Sequence, residues 1–97
     1  MDKDMQPTLF EAADGHRAWK LNGEYHRTDG PAVEFVDGTL NWAFHGKFHR
    51  TDGPALIHAD GSQKWFLNGR SYEFDEWLNQ NPDITDEEKV MMKLKYG

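Results

Sequence analysis

Big apolar and polar positions alternate in short runs, and the runs come in pairs. Pro31-Ala-Val-Glu-Phe-Val36 precedes Asp37-Gly38, and Thr39-Leu-Asn-Trp-Ala-Phe-His45 follows it. Alternation flanking Asp-Gly reads as a β-hairpin. With Asp37-Gly38 as a two-residue turn of type I′, Phe35 is expected opposite Leu40 and Val33 opposite Trp42. Side chains alternate along a strand, so Val33, Phe35, Leu40, Trp42 and Phe44 would share an apolar face. Ala32, Glu34, Asn41 and Ala43 would share the other face.

The pattern recurs every 23 residues. Trp19, Trp42 and Trp65 keep that interval, as do Asp14-Gly15, Asp37-Gly38 and Asp60-Gly61, and Gly23, Gly46 and Gly69. The block His26-Arg27-Thr28-Asp29-Gly30-Pro31-Ala32 returns unchanged from His49 to Ala55. The same register would pair Phe10 with Trp19 and Leu56 with Trp65, adding Leu21 and Leu67 to the apolar face. The expected core is therefore Trp19, Trp42 and Trp65 as one column, with Val33, Phe35, Leu40, Phe44, Leu56, Leu67 and Trp77.

After Gly69 the period ends and helical spacing begins. Phe74, Trp77 and Leu78 lie at i, i+3 and i+4 ahead of Pro82. Thr85 with Glu88 makes a capping box. Val90, Met91 and Leu94 then form a stripe, with Lys89, Lys93 and Lys95 near the helix end. The fold class expected is mainly β with C-terminal helices: an antiparallel meander of about three 23-residue β-hairpin repeats capped by two short α-helices. Residues 1–6 are read as a flexible N-terminus, 7–70 as the repeat sheet, and 71–97 as the helical cap of the same domain.

Composition sharpens this picture. Leu, Ile, Val and Phe together are about 19% of the 97 residues, a level that with high net charge warns of disorder. The period removes the warning. Eight of nine glycines and three of four tryptophans fall on repeat positions, and each large aromatic buries ~150–250 Å². Cysteine is absent, which excludes disulfides and thiolate chemistry. The formal charge of −6 argues against broad binding to nucleic acid or anionic lipid. Neither a membrane span nor a signal peptide is legible, so a cytoplasmic protein is expected.

A 23-residue hairpin unit with an aromatic strand, an Asp-Gly turn and a closing glycine resembles the MORN repeat, especially its variant class. The closer likeness is to small phage-type proteins with repeated H-R-x-D-G-P-A, D-G and W-x-x-N-G units. Those end in a segment like Phe74-Asp-Glu-Trp-Leu78, Glu87-Glu-Lys89 and Leu94-Lys-Tyr-Gly97. The resemblance covers roughly residues 14–97. It implies a twisted β-meander used for protein association, with a host-encoded partner if the phage likeness holds, and it implies no reaction.

Only His26, Arg27 and Asp29, repeated as His49, Arg50 and Asp52, invite a chemical reading. A histidine beside an aspartate can share a proton or hold a metal. Yet Asp-Gly-Pro is turn chemistry, and Arg27 can pair with Asp29 or Glu34 while the histidine packs on Tyr25 or Phe48. A residue found at every connection builds connections, whereas a catalytic group is needed once. The expected function is a non-enzymatic protein-interaction module, in one version a phage protein that modulates a host defence protein. These six residues are its candidate contact positions, with no catalytic residue, no metal and no cofactor. The alternatives are a small metal-dependent or acid–base enzyme using the His-Asp pairs, and a self-assembling homo-oligomer.

Overall fold

The computed structural model describes residues 6–97. The flexible segment expected at 1–6 lies, apart from Gln6, outside them. The first unit comprises β1 (Thr8–Glu11), β2 (Arg17–Leu21) and β3 (Glu24–Tyr25). The second comprises β4 (Val33–Glu34), β5 (Leu40–Asn41), β6 (Ala43–Phe44) and β7 (Lys47–Phe48). The third comprises β8 (Leu56–Ile57), β9 (Gln63–Leu67) and β10 (Arg70–Tyr72), and α1 (Phe74–Gln80) and α2 (Asp86–Tyr96) follow. The boundary expected at residues 70 and 71 falls inside β10.

Each unit thus carries two hairpins where the sequence pattern suggested one. The type I′ turns are not at Asp-Gly. They sit at Asn22-Gly23, His45-Gly46 and Asn68-Gly69, where both central residues have positive φ. Asn and Gly tolerate that region best. At the Asp-Gly sites only the glycine is left-handed. Gly38 N–H donates to Phe35 O (3.0 Å) and Phe35 N–H donates to Thr39 O (2.9 Å), closing a three-residue loop. The Asp37 carboxylate accepts the Thr39 N–H at 2.9 Å, and Asp60 and Asp14 do the same for Ser62 and His16. Bonds to the Thr39 and Ser62 backbones, then to their hydroxyls, hold the Asp37 and Asp60 carboxyls below the usual carboxylate range.

The longer loop slips every expected pairing by one residue, and a one-residue slip exchanges the two faces. Val33 lies opposite Asn41 and Glu34 opposite Leu40. Trp19 faces Leu9, not Phe10, and Leu56 faces Lys64, not Trp65. The expected apolar face of Val33, Phe35, Leu40, Trp42 and Phe44 is not formed. Phe35 and Phe44 are exposed, Leu40 and Leu56 are half-buried, and Trp19 and Trp42 are only partly covered. Val33, Trp65, Leu67 and Trp77 are buried as expected, and the small residues Ala32, Ala43 and Ala55 are buried as well.

The strands form an eight-stranded antiparallel sheet in the order β1-β2-β4-β5-β8-β9-β10, with β3 also on β2, and a two-stranded β6–β7 sheet. The sheet forks at the first two repeat tryptophans. Trp19 N–H donates to Ala32 O (2.7 Å), and its carbonyl accepts from His26 N–H (3.0 Å). Trp42 repeats this with Ala55 and His49. Ahead of each Trp the strand pairs with the next unit, and behind it with the last strand of its own unit, β3 or β7.

Both helices form where expected. Thr85 and Glu88 close the capping box, and Gly97 N–H caps Lys93 O at 2.9 Å. Trp65, Leu67, Trp77 and Leu78 form the buried cluster, with Phe74, Ile84, Met92 and Tyr96 packed on it. The stripe of Val90, Met91 and Leu94 does not cover the sheet. It points to solvent, and Met92 and Tyr96 face inward instead.

Candidate functional site: the unit junctions and the aromatic groove

The His-Arg-Thr-Asp-Gly-Pro-Ala block is a junction, and most positions of its two identical copies have a visible physical task. Arg27 folds back over Trp19, its guanidinium carbon 3.7 Å from the ring centroid. Arg50 lies over Trp42 at 3.9 Å. Arg27 Nε donates to Asp29 Oδ1 (2.9 Å) and Nη1 to Pro31 O (3.1 Å). Arg50 binds Asp52 (2.8 Å) and Pro54 O (3.0 Å) in the same way. The opposite face of each guanidinium rests on the next glycine. A Cβ on Gly30 would come within 3.0 Å of Arg27 Cζ, and one on Gly53 within 2.6 Å of Arg50 Cζ. A side chain at either position would press the planar cation out of its place between backbone and indole. Arg27 also approaches Glu34 at 3.6 Å, so both expected carboxylate partners are present.

The histidines lock one unit to the next. His45 N–H donates to His26 Nδ1 (3.0 Å), and Asn68 N–H donates to His49 Nδ1 (3.0 Å). Those donors belong to the type I′ turns of the following unit. Accepting a backbone N–H uses the lone pair on Nδ1, so the tautomer that makes this hydrogen bond carries its proton on Nε2. The expected packing on Tyr25 or Phe48 is replaced, for His26, by Phe44 at 4.5 Å and His45 at 4.4 Å. His26 is buried, and its pKa lies below the ordinary 6.5, because of burial first and the facing His45 second, against the opposing pull of Glu24.

That shift has a sign. A depressed histidine stabilises the fold fully above its unfolded value, and the contribution is lost as pH falls from about 6.5 through the lower folded value. The urea midpoint is expected to drop between about pH 7.5 and about pH 5, and to drop less in His26→Asn, whose carboxamide oxygen can still accept the His45 N–H. Equal drops in the two proteins would remove His26 as the source.

The third junction is built differently. The positions 23 residues beyond His49 and Arg50 are Tyr72 and Glu73. Trp65 is covered instead by Trp77 at 4.7 Å and Phe74 at 4.8 Å, with Tyr96 edge-on at 5.0 Å. Trp77 Nε1–H donates to Arg50 O (3.1 Å), and the Asn81 carboxamide donates to Thr51 O (2.8 Å). The cap therefore takes the place that an arginine holds on the other two tryptophans.

The six candidate residues do not converge on one chemical centre. Asp29 and Asp52 are turned outward onto their own arginines, and both His Nδ1 atoms are occupied. The open feature lies elsewhere. The true register strings Phe10, Ala18, Val33 and Asn41 across one face, each opposite the next. Ala18 has little bulk, so the row dips between aromatics. The result is a groove of about 520 Å³ walled by Phe10, Tyr25, Phe35 and Phe48, with Arg17 and Lys20 also lining it. Phe10, Tyr25, Phe35 and Phe48 are all exposed. Lys20 Nζ leans over Phe10 (5.7 Å) and Tyr25 (5.2 Å). Asn41 lines the groove, and its carboxamide oxygen is buried with no hydrogen-bond partner among the described residues. Sequence reasoning missed the groove, although Tyr25 and Phe48 are 23 residues apart and follow matching turns.

No helix of the described residues is long and apolar enough to cross a membrane. Comparison with protein-family models, curated proteins and solved structures yields no match.

Proposed function

We propose that the chain is a non-enzymatic protein-binding module that takes an apolar or aromatic segment of a partner protein into this groove. One observation carries the reading: four exposed aromatic rings surround a dip in the sheet face. Clustered exposed apolar surface marks interaction sites. Among the charged groups lining the groove, Arg17 pairs with Glu11 (3.6 Å) and Glu34 (3.4 Å), and Lys20 leans over Phe10 and Tyr25. The repeated His-Arg-Asp sets, engaged inside the junctions, serve as scaffold in this reading. The resemblance to small phage-type proteins makes a host-cell protein, such as a component of a defence system, the class of partner.

The test is affinity capture from the native host, followed by titration of the captured protein against a Tyr25→Ala, Phe35→Ser double variant. Both side chains are exposed, so the variant is expected to fold normally by circular dichroism. Binding is expected to weaken on the order of thirtyfold, as for an interface hot spot. Unchanged affinity of the folded variant would reject the groove as the contact surface.

A further inference from the structure

α2 carries apolar residues on two opposite faces. At about 100° per residue, Met92 and Tyr96 fall on one side, and Val90, Met91 and Leu94 fall on the other. Met92 and Tyr96 pack on the Trp65 and Trp77 cluster. Val90, Met91 and Leu94 are 58%, 65% and 80% exposed. A helix apolar on both sides is suited to burial on both sides.

The charges flanking the outer stripe say what fits there. Asp86 and Lys93 lie along one flank, Glu88 and Lys95 lie along the other, and Glu87 sits within the stripe at its N-terminal end, where an antiparallel second copy would set it against the Leu94–Lys95 turn. Acids occupy the first turn and lysines the last. A second α2 laid antiparallel about a two-fold axis near Met91 brings like flanks together with their ends reversed. Asp86 then meets Lys93 of the second copy, and Glu88 meets its Lys95, each contact occurring twice. A parallel pair would join opposite flanks at equal height, setting Glu88 beside Asp86 and Lys95 beside Lys93. Like charges repel there, and the helix dipoles also align unfavourably. The two-fold arrangement is self-complementary and closes on itself.

We infer that α2 is a self-association surface through which two copies of the chain pair antiparallel by Val90, Met91 and Leu94. The seam is about 16 Å long at ~1.5 Å per residue, so the dimer is weak and concentration-dependent. It lies on the cap, apart from the residues that wall the groove, so it gives a two-headed molecule with both grooves open. Its failure leaves the groove reading untouched.

Sedimentation velocity over a concentration series provides the test. The wild-type chain is expected to pass from monomer to dimer, and Leu94→Glu to stay monomeric at the same concentrations. Lys93→Glu is expected to weaken the dimer roughly tenfold by facing Asp86 of the other copy, and Asp86→Lys with Lys93→Glu to restore it. Near-ultraviolet dichroism of Trp65 and Trp77 confirms that each variant is folded. The absence of cysteine gives a direct reading of orientation. A mixture of Glu87→Cys and Leu94→Cys is expected to form the mixed disulfide, and neither protein alone a disulfide dimer. A wild-type chain that stays monomeric to about millimolar concentration overturns the proposal. So does a dimer indifferent to Leu94→Glu, or cross-linking of each cysteine variant with itself.

Discussion

Trp77→Ala is expected to destabilise the fold by about 3–5 kcal/mol, the range for truncating a buried aromatic. A domain of this size has ~5–15 kcal/mol in total, so the variant is close to unfolding at 37 °C. Trp77 is 0% exposed and covers Trp65 at 4.7 Å. Its indole N–H also satisfies the Arg50 carbonyl at 3.1 Å. Truncation removes the packing, leaves a cavity, and orphans that carbonyl. Trp77→Phe separates the contributions: it keeps most of the volume and loses the donor, for an expected cost of about 1–3 kcal/mol. Urea unfolding of the three proteins reads the difference. A loss of under ~1 kcal/mol in Trp77→Ala would show that the cap is not what holds the third unit.

Arg50→Ala is expected to cost about 2–4 kcal/mol, combining two charge-assisted hydrogen bonds with a cation–π stack. The guanidinium is enclosed by Trp42, Gly53, Asp52 and Pro54 O. Removing it uncovers the indole and leaves the Pro54 carbonyl, on a fully buried proline, without its donor. Arg50→Lys rescues little, because an ammonium has neither the planar face nor the fork. Salt distinguishes this site from a surface ion pair. In ~1 M NaCl the penalty is expected to persist, since partly buried contacts are weakly screened. A penalty below about 0.5 kcal/mol, or one abolished by salt, would reduce the Arg50–Asp52 contact to surface electrostatics.

The period, the two helices and the capping box are legible in the residues alone. Each rests on local chemistry: glycines at turns, i and i+4 apolar spacing, and a Thr-x-x-Glu box. The strand register is not, because Asp-Gly suits both a two-residue turn and a three-residue loop. What selects the longer loop is the Asp37 carboxylate accepting the Thr39 N–H while Asp37 keeps negative φ. A pointer was present in Asn22-Gly23 and Asn68-Gly69, where asparagine tolerates the left-handed region that type I′ requires. The slip explains both the exposure of Phe35 and the missed groove. The Arg27–Asp29 pair was legible from spacing. The Arg27–Trp19 stack was not, since strand alternation says nothing about a side chain folding back across a connection. Likewise, helical spacing marks Val90, Met91 and Leu94 as a stripe without saying which of two apolar faces turns inward.

Every junction is completed by residues that come later in the chain. The His26 ring waits for the His45 amide, the His49 ring for the Asn68 amide, and the Arg50 carbonyl for the Trp77 indole. Synthesis runs in the same direction, so each unit leaves the ribosome before the segment that secures it. The large, fully buried side chains Trp77 and Leu78 are made after all three units. The first strand, with Leu9 and Phe10 exposed, is the outer edge of the sheet. Folding during translation is therefore settled from the far end: a chain released before Trp77 holds the whole repeat pattern without the side chain that closes its last junction.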